Sequence, residues 1–323
     1  GGQRILLTGT PLENNLGELW SLADLAQPGL LGGHAQFAAR FRTPIEKQGD
    51  TERLAMLRAR LRPFFLRRQR GDVLDELPPK TEVVRHVELE GPQRDLYEAV
   101  RLAADAELRA VIAERGLARS QIAVLDALLK LRQACCDPRL VKRPEAARAH
   151  GVSAKLELLT EMLSELAREE RKVLVFSQFA SMIDLIERAL EPLGLRAEKL
   201  IGATALDARS AAVRRFQAGE CDVFLISLRA GGTGINLTAA DTVIHFDPWW
   251  NPAVEAQATA RAHRMGQQKP VLVYKLIARG TVEERILALL ERKQALAQAV
   301  LTGGSSGGAL ITEEDLAALL APL

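Results

Sequence analysis

The sequence predicts an α/β protein in which helices cover both faces of a mostly parallel β-sheet. Short apolar runs alternate regularly with amphipathic helical segments from residue 155 onward, which is the pattern of strands joined by helical crossovers. The apolar runs are nearly continuous, as expected for strands that are buried on both faces. Several runs end in polar or glycine-rich clusters, and open α/β sheets bind ligands at the carboxyl ends of their strands.

The elements before residue 155 follow from local periodicity and from turn residues. In chain order they are a buried strand at 5–7, a tight turn at 8–11, a helix from Leu16, short helices over 34–77, an extended segment at 81–89 and long helices over 92–135. The long helices lack the sustained heptads of a coiled coil. A strand at 5–7 without neighbouring strands is expected to be unprotected.

The elements after residue 155 follow the alternation described above. The predicted strands are 172–179, 196–202, 221–228, 241–247 and 270–278, and the predicted helices are 155–168, 181–191, 205–217, a helix from Thr281 and 313–320. Thr281 and Glu284 have the spacing of a capping box. The glycines and serines of 303–308 predict a flexible linker before the last helix.

Composition limits the class of protein. The 323 residues are 47% hydrophobic and 26% charged, an ordinary globular balance, and the net charge of +2 leaves any nucleic-acid site to local clustering. Cys135 and Cys136 are predicted to be buried apolar filling, and three cysteines cannot form a disulfide framework. No apolar run reaches the roughly 18 residues that span a bilayer. The excess of arginine over lysine, together with the heavy use of alanine and leucine, favours a bacterial source, and the cysteine usage favours a reduced, cytoplasmic location.

Gln257, Arg261 and Arg264 are the first candidates for chemistry. Their i, i+4 and i+7 spacing predicts one face of a helix. Two guanidiniums there suit a phosphate chain, because each offers a planar fork of donors that keeps its charge. The spacing alone fits a solvated basic face equally well, so both interpretations stay open at this point.

The residues after two predicted strands form further candidate clusters. The loop 229–236, RAGGTGIN, is a weak phosphate cradle by itself and also fits a tight turn that uses glycines for positive φ. Trp249 and Trp250 fit either core packing or a stacking surface beside nucleic acid. The chain contains no GxxxxGK[ST] loop.

Seven segments occur in the order found in one protein family. They read TGTPLENNLGELWSL, RLRPFFLRR, LRQACCDPRLV, VLVFSQF, SLRAGGTGINLTAADTVIHFDPWWNP, AVEAQATARAHRMGQ and TVEERI. Together they resemble the Swi/Snf family of DNA-dependent ATPases in helicase superfamily two, over about residues 4–301. The resemblance implies two RecA-like lobes with ATP and Mg²⁺ between them, the first lobe carrying the P-loop and the acidic Mg²⁺ motif.

The resemblance also implies roles for individual residues. Arg261 and Arg264 match the arginine fingers, with Gln257 as the coupling glutamine of the same motif. Ala260 stands where many members have Asp, which removes a carboxylate near the first finger. The implied nucleotide-binding residues are Gly232, Gly234 and Asn236. The implied DNA-binding and coupling residues are Thr8, Gly9, Thr10, Ser177, Gln178, Gly202, Thr204, Ser227, Arg229, Thr233 and Trp250, and no metal ligands are expected.

By this resemblance the chain is the second RecA-like lobe, preceded by the end of the first lobe and by helical insertions. The expected domains are 1–90 for the end of the first lobe with its linker, 91–150 for a helical insertion, 151–302 for the second lobe and 303–323 for a linker with a short helix. The basic run 58–70 is interpreted as packing between lobes, with a DNA-facing track as the alternative.

The expected function is the C-terminal half of an ATP-dependent translocase on double-stranded DNA that remodels protein–DNA complexes in the nucleoid. Without the P-loop and Mg²⁺ ligands of the first lobe, this chain is not expected to hydrolyse ATP alone. The expected partners are duplex DNA, DNA-bound proteins and the first lobe itself. The alternative is a non-catalytic module that binds DNA or RNA polymerase.

Overall fold

A computed structural model describes most of the chain in two compact units. The described residues are 4–7, 16–66, 77–142, 144–149, 151, 153–228, 230, 235–249, 251–291 and 313–323. The first unit comprises 1–75 with 289–315, and the second comprises 76–288 with 316–323. Each unit is described by itself.

The described part of the first unit is helical. Its helices are α1 (Leu16–Ala26), α2 (His34–Phe37), α3 (Thr43–Gln48) and α4 (Thr51–Leu61), with a π-helical turn at Ala38–Arg42 joining α2 to α3. Phe37, Phe41 and Leu57 lie at the centre of its core. The amino end of α4 is capped by the Asp50 carboxylate, which accepts a hydrogen bond from the Arg53 amide at 2.9 Å.

The predicted strand at 5–7 is wrong. Residues 4–7 carry no regular secondary structure, and the side chains of Ile5 and Leu7 are 81% and 94% exposed. Among the described residues of the first unit no strand is present that could pair with this segment. An apolar run forms a strand only when a neighbouring backbone completes its hydrogen bonds, so the sequence pattern was not sufficient here.

The second unit is built on one six-stranded sheet in which every pairing is parallel. Its strands are β1 (Lys80–Val87), β2 (Val173–Ser177), β3 (Ala197–Leu200), β4 (Val223–Ser227), β5 (Thr242–His245) and β6 (Val271–Ala278). They lie in the order β1-β6-β5-β2-β4-β3. This arrangement confirms the predicted α/β fold class.

Helices cover both faces of this sheet, as the continuous apolar strands predicted. The helices are α5 (Gly91–Arg115), α6 (Gln121–Cys136), α7 (Ala154–Arg168), α8 (Ala180–Leu190), α9 (Leu206–Gln217), α10 (Pro252–Thr259), α11 over 282–291 and α12 (Glu313–Leu319). On one face α7 and α8 pack against Val175 through Leu159 and Ile183. On the other, α9 and α10 pack against Phe224.

Strand β1 pairs with β6 along its whole length, from Lys80 opposite Val271 to Val87 opposite Ala278. The sequence predicted only an extended segment here and assigned it to the domain 1–90. In the structure the two compact units divide at residues 75 and 76, so β1 belongs to the second unit. The family-based domain boundaries themselves stay a prediction.

Helix α6 has apolar residues on its exposed face as well as on its buried face. Leu128 and Leu131 are fully buried, and Cys135 and Cys136 are buried free thiols, as predicted. Ile122, Leu125 and Leu129 of the same helix are apolar as well, but they are 84%, 53% and 40% exposed. In the described part of the chain no helix is long and apolar enough to cross a membrane.

The start of α11 departs slightly from the predicted capping box. The hydroxyl of Thr281 accepts a hydrogen bond from the Glu283 amide at 3.2 Å, which is a regular N-cap contact. Glu284 reaches back to the amide of Gly280 at 2.8 Å instead of the amide of Thr281. The amino end of the helix is therefore capped, with the reciprocal bond displaced by one residue.

A buried ion pair joins α7 to α11 beneath the sheet. The Lys155 ammonium and the Glu283 carboxylate approach to 2.6 Å, and both side chains are fully buried. Lys155 also donates to the carbonyls of Phe246 at 3.0 Å and Leu276 at 2.9 Å, and Glu283 accepts from the Ala278 amide at 2.9 Å. Burial acts to lower the pKa of Lys155, but the neighbouring carboxylate outweighs it and the pKa is raised.

Candidate functional site

Four neighbouring strands bring the candidate residues of separate segments to one edge of the sheet. Ser177 ends β2 and lies opposite Ser227, which ends β4. Both serines are buried, and the amide of Leu228 donates to the Ser177 carbonyl at 2.9 Å. Because all strands are parallel, the turn after β3 and the loop after β5 lie at this same carboxyl edge, where open α/β sheets bind ligands.

The turn after β3 carries Gly202 and Thr204 and is fixed by hydrogen bonds. The Thr204 hydroxyl accepts from the Ile201 amide at 3.0 Å, and the Thr204 amide donates to the Ile201 carbonyl at 3.0 Å. From α9, Arg209 donates to the carbonyls of Thr204 at 2.8 Å and Gly202 at 3.1 Å. The turn is thus held in one shape by a guanidinium from the following helix.

Asp247 ties the end of β2 to the end of β5. Its carboxylate is fully buried, and each oxygen accepts from the Gln178 amide at 3.2 Å. Burial raises the pKa of Asp247, while Arg132 and the Ser177 hydroxyl act in the opposite direction by stabilising the charged form. Sequence reasoning missed Asp247 as a site residue, although a charged residue directly after an apolar strand was a usable signal.

Arg132 of α6 completes this network from outside the sheet. Its side chain is 2% exposed and lies 3.6 Å from the Asp247 carboxylate. One terminal nitrogen donates to the Gln178 side-chain oxygen at 2.8 Å, and the other donates to the carbonyl of Pro248. The sequence analysis missed Arg132 too, because a single arginine in an amphipathic helix gives no sign of what it reaches.

The loop after β5 is held from the other side by α10 and β6. The amide of Trp249 donates to the Glu255 carboxylate at 2.8 Å, and Glu255 pairs with Lys275 at 2.9 Å. The Asn251 side chain caps α10 by accepting from the Ala253 amide at 2.9 Å. Trp249 is half-buried and packs against the core on that face.

His245, the last residue of β5, lies beneath this loop. Its Nε2 is 3.0 Å from the Thr259 hydroxyl, and its ring stacks on Phe176 with centroids 5.6 Å apart. Burial lowers the pKa of His245 to about 4, so the ring is neutral at physiological pH. The histidine therefore acts as a packed polar residue of the core in this structure.

The predicted helix face of Gln257, Arg261 and Arg264 is wrong. Helix α10 ends at Thr259, and the amides of Arg261 and Ala262 bond three residues back, to the carbonyls of Ala258 at 3.2 Å and Thr259 at 3.1 Å. Gln257 and Arg264 are exposed, whereas Arg261 is 6% exposed. Burial lowers the pKa of Arg261. The helical spacing failed because the chain leaves the helix between the first and second of these residues.

Gln267 explains why the chain turns there. Its side-chain nitrogen donates to the carbonyls of Thr238, Ala240 and Ala262 at 3.2, 2.7 and 3.1 Å, and its oxygen accepts from the next two amides at 2.9 Å. The carbonyl of Arg261 also accepts from the Leu237 amide at 3.0 Å. The segment that contains Arg261 and Arg264 therefore lies against residues 237–240, which lead into the amino end of β5 and directly follow the exposed Asn236. Ser177, in contrast, lies at the carboxyl edge of the sheet.

The remaining sequence candidates fall outside the described residues. These are Thr8, Gly9, Thr10, Arg229, Gly232, Thr233, Gly234 and Trp250. Over the described ranges, no group of three or more His, Cys, Asp or Glu side chains could hold a metal ion.

Comparison with known proteins identifies two family regions. Residues 1–140 match the SNF2-related domain, and residues 154–266 match the helicase conserved C-terminal domain. YwqA of Bacillus subtilis (strain 168) is 39% identical over 318 residues, which are 97% of this chain and 34% of YwqA. The chain spans about a third of the length of the curated relatives that it matches.

Two solved structures from Sulfolobus solfataricus extend the comparison to the fold. The SWI2/SNF2 ATPase core in complex with double-stranded DNA is 35% identical, with a TM-score of 0.61 over 97% of this chain and 65% of that one. The SWI2/SNF2 ATPase C-terminal domain is 31% identical, with a TM-score of 0.59 over 76% of this chain and 99% of that one. Together with the sheet order and the motif positions, these matches establish that the chain belongs to the SWI2/SNF2 family of ATPases.

Proposed function

We propose that the chain is the C-terminal half of an ATP-dependent motor that moves along double-stranded DNA and remodels protein–DNA complexes. The carboxyl edge of the sheet carries this proposal, because Gly202, Thr204, Ser177, Gln178 and Ser227 come together there from three separate strands. The relative whose structure was solved with double-stranded DNA supports the choice of ligand.

Contacts to the DNA backbone would dominate binding at this edge. Backbone amides, hydroxyls and side-chain amides are the groups that proteins use against phosphates without reading base sequence. We therefore expect binding that is independent of sequence and weakens steeply as salt rises, since bound cations are released from the duplex. Cycles of ATP hydrolysis would then move the chain along the DNA.

Arg261 and Arg264 would serve the ATPase reaction in the intact protein. Water attacks the γ-phosphate of ATP, and a guanidinium beside the transferring phosphoryl group stabilises the charge that develops. The segment holding both arginines is anchored by Gln267 and Leu237, so its backbone is preorganised. Gln257 and Asn236, both exposed, would couple this segment to the nucleotide or to DNA.

The activity would need a lobe that carries a GxxxxGK[ST] loop, which these 323 residues do not contain. ATP and Mg²⁺ are accordingly proposed for the complete protein and not for this chain alone. Sustained DNA-stimulated phosphate release by the purified chain would contradict the proposal that ATP hydrolysis needs the complete protein.

The arginine roles can be tested in the complete protein. Arg261→Ala and Arg264→Ala should each lower kcat for ATP hydrolysis by about 10³-fold or more, with DNA affinity nearly unchanged. Arg279→Ala is the matched control, because Arg279 is an exposed arginine that pairs with the Glu88 carboxylate at 3.1 Å. Wild-type turnover in either finger variant would reject the assignment.

A second candidate is a non-catalytic module that binds DNA or RNA polymerase. The observation in its favour is the same lack of a phosphate-binding loop in these residues. DNA affinity without any ATPase activity in the complete protein would favour it. Capture of RNA polymerase in a pull-down that withstands nuclease treatment would separate polymerase binding from remodelling of DNA-bound proteins.

A further inference from the structure

The orientation of the Gln178 side chain is set by a residue of α6. A guanidinium only donates hydrogen bonds, so the oxygen of the Gln178 amide must face Arg132, at 2.8 Å. The nitrogen of the amide must then point away from Arg132. Among the described residues this nitrogen, Gln178 Nε2, has no hydrogen-bond partner.

The same guanidinium also fixes the loop after β5. Arg132 donates to the carbonyl of Pro248, the residue directly before Trp249. It lies 3.6 Å from Asp247, whose carboxylate holds the amide of Gln178. One side chain of α6 therefore determines the relative placement of two segments at the carboxyl edge.

The network around Arg132 contains buried donors that no acceptor of the described residues meets. Over the part of the chain that the structure describes, the Nε atom of Arg132 also lacks a hydrogen-bond partner, although it is buried. Buried donors are almost always paired in folded proteins, by protein groups or by ordered water, so two unpaired donors in one network are available to a further acceptor. Gln178 directly follows Ser177, the last residue of β2, so one of the two unpaired donors belongs to a residue of the proposed DNA edge.

We propose that Arg132 is a positioning residue for nucleic-acid binding, acting from α6 through Gln178 and Pro248 on the segments that meet the phosphate backbone. The inference rests on the proposed function of this edge as the DNA contact. It assigns to the helices between β1 and β2 a part in DNA binding that the sequence does not reveal, since Arg132 and Pro248 are 116 residues apart.

This role requires the two terminal nitrogens that the planar guanidinium of Arg132 holds in fixed positions. A positive charge alone would not be sufficient. Lysine at this position would still offset the buried Asp247 carboxylate. Its single ammonium is a point charge without two parallel donors, so it would not fix the Gln178 amide and the Pro248 carbonyl together. Arg132→Lys should therefore separate folding from DNA binding, whereas Arg132→Met should harm both.

The test measures binding of the complete protein to a fluorescent duplex by anisotropy, at low and at physiological salt, with thermal unfolding of each variant. Arg132→Lys should bind duplex DNA about tenfold more weakly, the loss expected for one well-placed contact. Its unfolding midpoint should stay close to that of the wild type and well above that of Arg132→Met.

Arg139→Lys is the matched control. The guanidinium of Arg139 donates two hydrogen bonds to the Asp137 carboxylate, at 2.8 and 2.7 Å, so the substitution removes a comparable bidentate pair seven positions further along the chain. DNA affinity should not change in this variant. Wild-type affinity in Arg132→Lys would overturn the inference and leave the proposed function standing, whereas a complete wild-type protein that does not bind duplex DNA would overturn both.

Discussion

Two buried ion pairs in the second unit use their donors very differently. The Lys155–Glu283 pair is closed: the ammonium has three donors, and they meet two carbonyls and the carboxylate. The Arg132–Asp247 pair is open, because its guanidinium retains a buried Nε without a partner among the described residues. Both pairs reach the same short stretch, since Lys155 bonds the carbonyl of Phe246 and Arg132 lies beside Asp247.

The difference separates a structural from a functional use of buried charge. In a closed pair, complete hydrogen bonding offsets the free-energy cost of removing both charges from water. Such a pair holds the elements that it joins in one arrangement. In an open pair at least one donor is unpaired, so the positions of its side chains can change when a ligand binds at the edge of the sheet. Substitutions in the two pairs should therefore differ in size and in pH dependence.

The largest expected effect is at the closed pair. Lys155→Met should lower the free energy of unfolding by about 4 kcal/mol, because the Glu283 carboxylate would remain buried without its counterion. Urea unfolding monitored by circular dichroism measures this. The double variant Lys155→Met with Glu283→Gln should recover part of the loss, since no uncompensated charge remains.

Lys199→Met is the matched control for that experiment. Lys199 pairs with Asp184 at 3.0 Å and Glu187 at 2.6 Å, but its side chain is 36% exposed. Solvent already stabilises these charges, so the expected loss is below about 1 kcal/mol. Equal losses in the two methionine variants would show that burial does not distinguish the pairs.

The open pair should give a smaller loss that depends on pH. Arg132→Met should cost about 3 kcal/mol at pH 8, less than the closed pair because Asp247 keeps its bonds from Ser177 and Gln178. The pKa of Asp247 is already raised, and removing Arg132 should raise it further. A raised carboxyl pKa contributes stability that is complete below the unfolded pKa and is lost as pH rises through the folded pKa.

The deficit of Arg132→Met relative to the wild type should therefore shrink as pH falls from 8 towards 5. Unfolding curves at both pH values measure it. Asp247→Asn provides the control, because an amide cannot titrate in this range. A deficit that does not change with pH would mean that Asp247 stays charged without Arg132, which contradicts the distinction drawn between the pairs.

The smallest of these effects concerns His245, the last residue of β5, which directly precedes Phe246 and Asp247. Its pKa is about 4 when folded and 6.5 when free, so the unfolded chain takes up a proton first as pH falls. The associated stability is present above pH 6.5 and is lost as pH falls towards 4, by about 2 kcal/mol between pH 7 and 5. His245→Gln should remove this part of the acid sensitivity, measured by unfolding across that range.

The sequence was a good guide wherever local pattern decides structure. The apolar runs around Val175, Leu225 and Ile244 predicted buried parallel strands, and each is a strand with a fully buried core position. Ser177 and Ser227 were expected at strand ends and are found there. These predictions succeeded because alternation and continuous apolarity act over a few residues.

Predictions failed where distant residues decide structure. Arg261 leaves the predicted helix because Gln267 ties the following turn to carbonyls before β5. Arg132 and Lys155 find partners more than a hundred residues away, and no spacing rule connects such positions. The roles of the two candidate fingers stay a prediction, since they depend on a nucleotide bound to the complete protein.

The parallel pairing of β1 with β6 has a consequence for synthesis on the ribosome. Glu88 and Arg279, which bond just beyond the two strands, are 191 residues apart. At about 5–20 residues per second, β1 would emerge roughly 10–40 s before its partner exists. The strand bears Lys80, Glu82 and Arg85, charges that discourage pairing with other chains during this wait. The sheet can therefore be completed only after β6 has been synthesised, and until then β1 has no partner strand in this sheet.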